Sequence, residues 1–491
     1  MTSSDLATRL DLTMTPDPHR VIVKLFVPGE DAALVRTRAA AIVERIARLD
    51  ENETSRLLDR TLRRFGARHR DLEATFRHHY DLVRHRVARG SDLSPTARTL
   101  VGAYFSHEYA VEAAALCNPS MVVHPDQSTL RPGQLRVVVS LRQIGEGHIS
   151  SIGFATGILG PGTRFTLDDR SGPLQTGRRS SARHSRDLLA AAVADDGCDN
   201  EVSATVLEHL PEHFDDTDFE QALGRIPTDL LTRNTTLQIV EQLRRMTASS
   251  YATTFPAEVP LRQRVLWPAA PSESNGMEDA RFVRFVDDNG ESTYRATYTA
   301  YDGRDIGARM LSTRDLLHFE VAALRGPATR SKGMALFPRT VGGRHLALCR
   351  CDGETISLST LDDRNRWQNP VPLHVPHRGR ELIQAGNCGS PIETTAGWLV
   401  LTHGVGPMRE YTIGALLLDL HHPDRVIAEL PGVLLSPDDS ERDGYVPNVV
   451  YSCGGLVHAG TLWIPYGASD TRVGFASVAF TTVVDAMGQS R

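Results

Sequence analysis

Two patterns of hydrophobic and polar positions divide the 491-residue chain near residue 117. Before this point, apolar residues recur at the spacing of amphipathic helices, with charged residues on the other faces. After it, short apolar and β-branched runs are separated by Gly, Pro and Asp turns, which is typical of β-strands. The patterns predict an N-terminal helical region over 1–117 and a β-rich domain over 118–491.

The N-terminal region is predicted to begin with a strand over 20–29 and to continue as helices. Ser94 and Pro95 mark the start of one helix, because Ser is a favourable N-cap and Pro fits the first helical position. The Arg-rich faces of these helices fit either a solvated surface or a contact between the subunits of a homo-oligomer. The sequence leaves both open.

Pairs of strands repeat along the β-rich domain. They are predicted to begin near Leu135, Tyr294, His345, Trp398 and Leu462. The shorter strands that precede the later pairs are marked by Pro338, Pro391 and Pro447, at intervals of 53 and 56 residues. A period of about 50 residues predicts sheets repeated around an axis, whereas a β-sandwich requires no fixed period. The expected fold class is all-β with helical additions, a five-bladed β-propeller with a helical insertion at about 184–252.

Composition and charge narrow the classes of partner. The 54 Lys and Arg residues against 60 Asp and Glu give a formal charge of −6 at pH 7, which argues against nucleic-acid binding or an anionic-membrane role. No apolar run approaches the roughly 18 to 20 residues of a membrane span. Because residues 1–20 also lack the pattern of a signal peptide, a cytoplasmic location is expected. The six scattered cysteines predict free thiols and no metal site.

Basic residues at equivalent places in successive repeats suggest an anion site. Lys332 stands out, because the chain has only one other lysine beside 52 arginines. Together with Arg350 and His403 it would place three donors around one anion at the axis of a propeller. Asp279 and Asp470 interrupt other strand or turn segments. Taken singly, each of these residues also fits a turn, an ion pair or a structural hydrogen bond.

Six motifs, in order along the chain, resemble those of glycoside hydrolase family 130, the β-mannoside phosphorylases and related β-mannosidases. They are NGMEDARF, SKGMALFP with the Arg of LALCR, PIETTAGWLVLTHGV, YTIGALLLDL, VPNVVYSCG and YGASDTRVGFA. The resemblance covers about 118–476 and implies a five-bladed β-propeller. It also implies an inverting phosphorylase that takes a β-manno-oligosaccharide and inorganic phosphate and releases α-mannose 1-phosphate, with no metal or organic cofactor.

The resemblance also implies roles for single residues. The general acid of the family corresponds to Asp279. Its phosphate-binding residues correspond to Lys332, Arg350, His403 and Tyr411. Residues matching the mannosyl subsite or the first repeat are Asp470, Asn448, Arg142 and His148. One carboxylate suffices for phosphorolysis because phosphate arrives as an anion, whereas an inverting hydrolase needs a second carboxylate to activate water.

Two alternatives stay open at this point. A β-mannoside hydrolase of the same fold would use Asp279 as acid and either Glu278 or Glu393 as base. A propeller without catalytic activity would serve as a carbohydrate-binding module. The N-terminal region and the insertion would either limit the length of the acceptor or form an oligomer interface.

Overall fold

A computed structural model describes residues 5–28, 32–86, 92–368 and 370–488, with only the backbone for 32–37. In these ranges the strands are β1 (Thr8–Met14), β2 (Val21–Leu25), β3 (Ser106–Ala110), β4 (Ala115–Val123), β5 (Leu135–Ile144), β6 (Ser150–Leu159), β7 (Phe165–Leu167), β8 (Gln175–Thr176), β9 (Arg178–Ser181), β10 (His184–Ser185), β11 (His213–Phe214), β12 (Tyr251–Thr254), β13 (Arg264–Leu266), β14 (Gly276–Val286), β15 (Ser292–Tyr301), β16 (Ile306–Thr313), β17 (His318–Ala323), β18 (Ala335–Leu336), β19 (Leu346–Cys349), β20 (Ile356–Thr360), β21 (Val371–His374), β22 (Gln384–Asn387), β23 (Ile392–Thr394), β24 (Gly397–Val405), β25 (Tyr411–Leu418), β26 (Val426–Glu429), β27 (Val450–Tyr451), β28 (Leu456–His458), β29 (Thr461–Ala468) and β30 (Arg472–Ala479). The α-helices are α1 (Ala32–Ala47), α2 (Glu51–Phe65), α3 (Leu72–Val83), α4 (Pro95–Tyr104), α5 (Arg186–Asp195), α6 (Glu201–His209), α7 (Asp216–Leu223), α8 (Thr228–Leu231), α9 (Thr236–Ala248) and α10 (Phe480–Gly488). The chain is mostly β with helical additions, as predicted.

The smaller of two structural units comprises Asp17–Ala113 and Arg170–Thr176. It contains α1 to α4 and the antiparallel pair β2 and β3. The predicted start of α4 is confirmed, since the Ser94 hydroxyl accepts the Ala97 N–H at 3.1 Å and Pro95 occupies the first turn. Helices α3 and α4 approach closely at Gly102, where an added Cβ would lie 1.7 Å from the Phe76 carbonyl oxygen. The predicted strand over 20–29 is present as β2, although residue 29 lies outside the described ranges.

The larger unit comprises Met1–Pro16, Ala114–Asp169 and Gly177–Arg491. The main path of its largest sheet runs β4-β5-β6-β14-β15-β16-β17-β12-β9. Neighbouring strands on this path are antiparallel, except that β6 and β14 meet in one parallel pair at Ser150 and Gly276. An added Cβ at Gly276 would lie 2.6 Å from the Ser150 nitrogen, so glycine permits this junction between two antiparallel sets.

Three further sheets of the larger unit follow along the chain. Their orders are β18-β19-β20-β21, β22-β24-β25-β26 with β23 beside β24, and β27-β29-β30-β1 with β28 beside β29. The strand pairs predicted near His345, Trp398 and Leu462 are therefore present. The last sheet also takes in β1, whose Thr8 pairs with Ser477 of β30. Residues 8–14 thus fold with the β-rich part of the chain, although the sequence pattern grouped them with the N-terminal region.

The predicted helical insertion is present as α5 to α9, within the larger unit. It has its own apolar core, in which Val206, Phe214, Phe219 and Leu243 are buried. Among the helices that the structure describes, none has the length and apolar character that a membrane crossing requires.

Candidate active site

Two β-bulges bring Asp279 and Asn118 together. Strand β14 shifts register between Glu278 and Arg281, and Asp279 in this bulge has a φ of +55°. Strand β4 shifts register at Asn118, which has a φ of +47°. The Asn118 Nδ2 donates to Asp279 Oδ1 at 2.5 Å. Bulges redirect side chains out of the regular alternation of a strand, and here they turn an amide toward an acid.

Cationic groups surround the two neighbouring carboxylates. Arg142 on β5 donates to Asp279 Oδ1 at 3.3 Å and to Glu278 Oε1 at 2.7 Å. Lys332 donates to the other Glu278 oxygen at 2.6 Å. Burial raises the pKa of Asp279, but the charges of Arg142 and Arg281 outweigh it and hold the pKa below its usual value. Glu278 is therefore fixed by two cations, while Asp279 keeps Oδ2 free of the hydrogen bonds recorded in the described residues.

Arg281 is a site residue that the sequence interpretation missed. It is buried, and its guanidinium donates to the Cys388 carbonyl at 3.0 Å, the Asp279 carbonyl at 2.8 Å and the Tyr451 hydroxyl at 2.7 Å. Arg281 therefore holds the backbone of Asp279 in place and connects it to Tyr451. The available signal was its position on β14, two residues after Asp279.

The predicted phosphate residues Arg350, His403 and Tyr411 lie together. Arg350 Nη1 lies 2.9 Å from His403 Nε2, and the His403 ring stacks on Tyr411 with centroids 5.9 Å apart. Since arginine has no acceptor, Nε2 must accept and the neutral ring carries its proton on Nδ1. Burial, then the charges of Arg350 and Arg281, lower the pKa of His403 well below its usual value. In the described structure, Arg350 Nε and His403 Nδ1 are buried without a hydrogen-bond partner.

Strand β22 connects this basic group to the segment of Lys332. Asn387 Nδ2 donates to the Gly333 carbonyl at 2.8 Å, directly after Lys332. An added Cβ at Gly386 would lie 2.3 Å from His403 Cε1 and 3.0 Å from Arg350 Nη1. Lys332 itself is paired with Glu278. Of the three predicted donors, the structure thus joins Arg350 and His403 directly and places Lys332 on the acidic side of the site.

Three of the four predicted sugar-binding residues lie in strained turns, whereas Arg142 lies on β5. Asp470, Asn448 and His148 have φ values of +49°, +63° and +60°. Non-glycine residues seldom adopt this region, and such strain is concentrated at functional sites. Burial and the charge of Asp279 raise the pKa of Asp470 to about 6, and no hydrogen bond to its side chain is recorded among the described residues. His148 is exposed, and its Nδ1 lies 2.7 Å from the Tyr445 hydroxyl.

The second carboxylate named for the hydrolase alternative lies on the surface. Glu393 on β23 is exposed, and both of its oxygens accept from Arg339, the closest at 2.6 Å. Around Asp279 the donors are instead guanidinium, ammonium and amide groups, which bind anions. The arrangement is able to hold an anionic reactant beside one buried acid.

Comparison with known proteins finds relatives that are named as phosphorylases of β-mannosides. A family model described as beta-1,4-mannooligosaccharide phosphorylase matches residues 250–489. The 1,2-beta-oligomannan phosphorylase of Thermoanaerobacter sp. is 32% identical over 211 residues, which are 42% of this chain and 68% of that protein. The beta-1,4-mannooligosaccharide phosphorylase of Ruminococcus albus is 36% identical over 162 residues, which are 30% of this chain and 48% of that protein. The solved structure of beta-1,2-mannobiose phosphorylase from Listeria innocua aligns with 78% of this chain and 94% of its own, at 18% identity and a TM-score of 0.46.

Proposed function

The chain belongs to glycoside hydrolase family 130, and we propose that it is an inverting β-mannoside phosphorylase. It would cleave the β-mannosidic bond of an oligosaccharide with inorganic phosphate and release α-mannose 1-phosphate. The observation that carries the proposal is the set of cationic donors around Asp279 and Glu278. Arg142 and Lys332 already fix Glu278, so this carboxylate is not free to activate water.

Asp279 is the proposed general acid. Its pKa lies below the usual range, so it is ionised at neutral pH, whereas a general acid must carry a proton. A phosphate anion bound at Arg350 and Lys332 would add negative charge to the site and raise the pKa of Asp279. Phosphate binding would thus favour the form of Asp279 that delivers a proton, directly or through a mannosyl hydroxyl, to the glycosidic oxygen. A phosphate oxygen attacks the anomeric carbon from the opposite face and inverts its configuration.

Arg350, His403 and Tyr411 are the proposed phosphate ligands, with Lys332 beside them. Arg350 Nε and the Nδ1–H of His403 are buried donors that lack a partner in the part of the chain described, and a phosphate oxygen would satisfy them. Because His403 is neutral, it would act as a hydrogen-bond donor and the charge would come from Arg350 and Lys332.

The mannosyl unit is proposed to lie near Asp470, Asn448 and His148. Arg142 is not proposed to bind the sugar, because its guanidinium is bound to Glu278 and Asp279. Its proposed role is to orient the Asp279 carboxylate. The two relatives described above are named for β-1,2 and β-1,4 linkages, so both linkages belong in the first substrate panel.

We also propose that the sheets form the blades of a five-bladed β-propeller. The antiparallel sets that would serve as blades are β4–β7, β14–β17, β18–β21, β22–β26 and β27–β30 with β1. The pairing of β1 with β30 supports closure, because it joins strands from distant parts of the chain in one blade. The cytoplasmic location and the homo-oligomer formed through the N-terminal helices stay predictions.

One observation favours hydrolysis as a second candidate function. Asp470 has a pKa raised to about 6 and no recorded hydrogen bond in the described residues, which suits a general base near neutral pH. In a hydrolase it would activate water while Asp279 acts as the acid. This role replaces the earlier suggestion of Glu393, which is bound to Arg339 on the surface.

The deciding experiment supplies β-1,2- and β-1,4-linked manno-oligosaccharides with and without inorganic phosphate. We expect mannose 1-phosphate only when phosphate is present, and its α configuration is checked by NMR. Free mannose formed at equal rates in both conditions would refute phosphorolysis and favour the hydrolase. Sugar binding without turnover of any substrate in either condition would refute both enzymes and leave the carbohydrate-binding module.

A further inference from the structure

Two histidines and two glutamates meet at the outer strands of two neighbouring sheets. His374 ends β21 and Glu429 ends β26. His377 and Glu381 lie on the segment 375–383, which leads from β21 into β22. One nitrogen or oxygen from each of the four side chains lies within 4.8 Å of the others. None of these residues belongs to the site around Asp279.

The separations fit the edges of a metal coordination polyhedron. His374 Nε2 lies 3.3 Å from Glu381 Oε1, and His377 Nε2 lies 3.5 Å from Glu429 Oε2. Four ligands at about 2.0–2.2 Å from a tetrahedral Zn²⁺ are about 3.3–3.6 Å from one another. Hydrogen bonds between such atoms are shorter, near 2.9 Å. These two pairs are therefore spaced as neighbouring ligands of one ion, and all four groups lie within 4.8 Å of one another.

Neighbouring groups already orient the ligand atoms. His377 Nδ1 lies 3.1 Å from the Val375 carbonyl, to which it donates, and this leaves the Nε2 lone pair facing Glu429. Arg378 holds the other oxygen of Glu429 at 2.5 Å. The backbone N–H groups of His377 and Arg378 both lie 3.3 Å from Glu381 Oε1. Metal sites use such outer hydrogen bonds to fix the tautomer of histidine and the direction of carboxylates.

We propose that His374, His377, Glu381 and Glu429 form a binding site for a divalent transition metal, with Zn²⁺ as the preferred ion. Two imidazoles and two carboxylates suit Zn²⁺ better than Mg²⁺ or Ca²⁺, which prefer oxygen ligands. A complete set of four protein ligands is typical of a structural ion. The His374 and Glu381 side chains are only 7% and 5% exposed, so the site is built into the fold.

The ion would join the edges of the two sheets and fix the segment that precedes β22. This strand carries Gln384, whose amide lies 3.5 Å from the Tyr411 hydroxyl, and Gly386, which packs against His403. The metal therefore has a positioning role for the proposed phosphate ligands. The existence of the site does not rest on the proposed function. Arg378 and Arg380 near Glu429 offset the carboxylate charges, so the two imidazoles supply much of the affinity.

The test uses the full-length protein after removal of metals with a chelator and dialysis. We expect one Zn²⁺ per chain by calorimetric titration, and a rise in the thermal unfolding midpoint on adding Zn²⁺. Co²⁺ in the same site should give the intense visible absorption of tetrahedral coordination, which Zn²⁺ then removes. These readouts do not depend on enzymatic activity.

A half-exposed ligand gives the decisive variant, because its replacement leaves the core intact. The His377 side chain is 52% exposed, and His377→Gln should weaken Zn²⁺ binding by more than the roughly 10- to 100-fold cost of losing an outer-sphere partner. His421→Gln, in the exposed turn after β25, is the matched control and should bind as the unchanged protein does. Failure of the unchanged protein to bind one ion, or equal affinity in His377→Gln, would overturn the proposal and leave the cluster as ion pairs.

Discussion

Replacement of Arg350 by Ala removes the guanidinium that the structure places 2.9 Å from His403 Nε2. Arg350 Nε and His403 Nδ1 are buried and lack partners among the described atoms, and the proposal assigns a phosphate oxygen to them. A hydrogen bond to a charged group contributes about 1.5–3 kcal/mol. One such contact corresponds to a roughly 10- to 150-fold change in affinity. We therefore expect Arg350→Ala to raise the KM for phosphate by about this factor.

The same substitution changes the protonation of His403. The charge of Arg350 helps to lower the pKa of His403, after burial, so removing it moves this pKa upward toward the usual value. The imidazolium form becomes easier to reach as the pH falls, and it supplies a positive charge for phosphate. The ratio of the phosphate KM of Arg350→Ala to that of the unchanged enzyme should accordingly decrease at lower pH.

The assay measures initial rates of mannose 1-phosphate formation over a range of phosphate concentrations at saturating mannoside. Arg344→Ala is the matched control, because Arg344 is an exposed arginine in the turn before β19 and its backbone alone makes the recorded contacts there. It should keep the KM for phosphate of the unchanged enzyme. An unchanged KM in Arg350→Ala, with thermal unfolding like that of the unchanged protein, would refute the placement of phosphate at Arg350.

Three further predictions test other parts of the site. Asp279→Asn should abolish mannose 1-phosphate formation yet retain mannoside binding by calorimetry; residual turnover near the original rate would exclude Asp279 as the acid. Gly386→Ala should cost about 1–3 kcal/mol in urea unfolding by overpacking, and raise phosphate KM, because its Cβ would lie 2.3 Å from His403 Cε1. The control Gly66→Ala has open space, so a loss as large as that of Gly386→Ala would contradict the argument. Asp470→Asn should stabilise the protein above pH 6 by up to about 3 kcal/mol, and not below pH 4, because the folded-state pKa of Asp470 is raised to about 6; equal stability of the two proteins at pH 7.5 would contradict it.

The strands that were predicted from the sequence are those with a buried apolar face. β5, β6, β24 and β25 are largely buried and read as apolar runs between turns. β9 consists of four exposed polar residues, RRSS, and is a strand because β12 pairs with it. Its sequence lacks the alternation of apolar and polar residues that marks a strand, so the local pattern was insufficient to predict it. The pairing of β1 with β30 could not be predicted either, since the two strands are more than 450 residues apart in the sequence.

The site was predicted where residue type or family resemblance singled out a position. Lys332 was singled out by its rarity, but nothing in the sequence indicated that it would pair with Glu278. Asn118 reaches Asp279 only because β4 and β14 both contain bulges, and a bulge leaves no clear periodic mark. The pairing of His377 with Glu429 likewise joins two sheets, so only His-x-x-His followed by Glu was visible in the sequence.

The pairing of β1 with β30 has a consequence for how the chain is made. Residues 8–14 are synthesised more than 450 residues before their hydrogen-bonding partners at 473–477. This sheet therefore cannot be completed until β30 has been made, and until then β1 has an unpaired edge that invites association with other chains. Chaperone contacts during synthesis should include residues 8–14, and ribosome-bound chains ending before residue 472 should leave them accessible to protease.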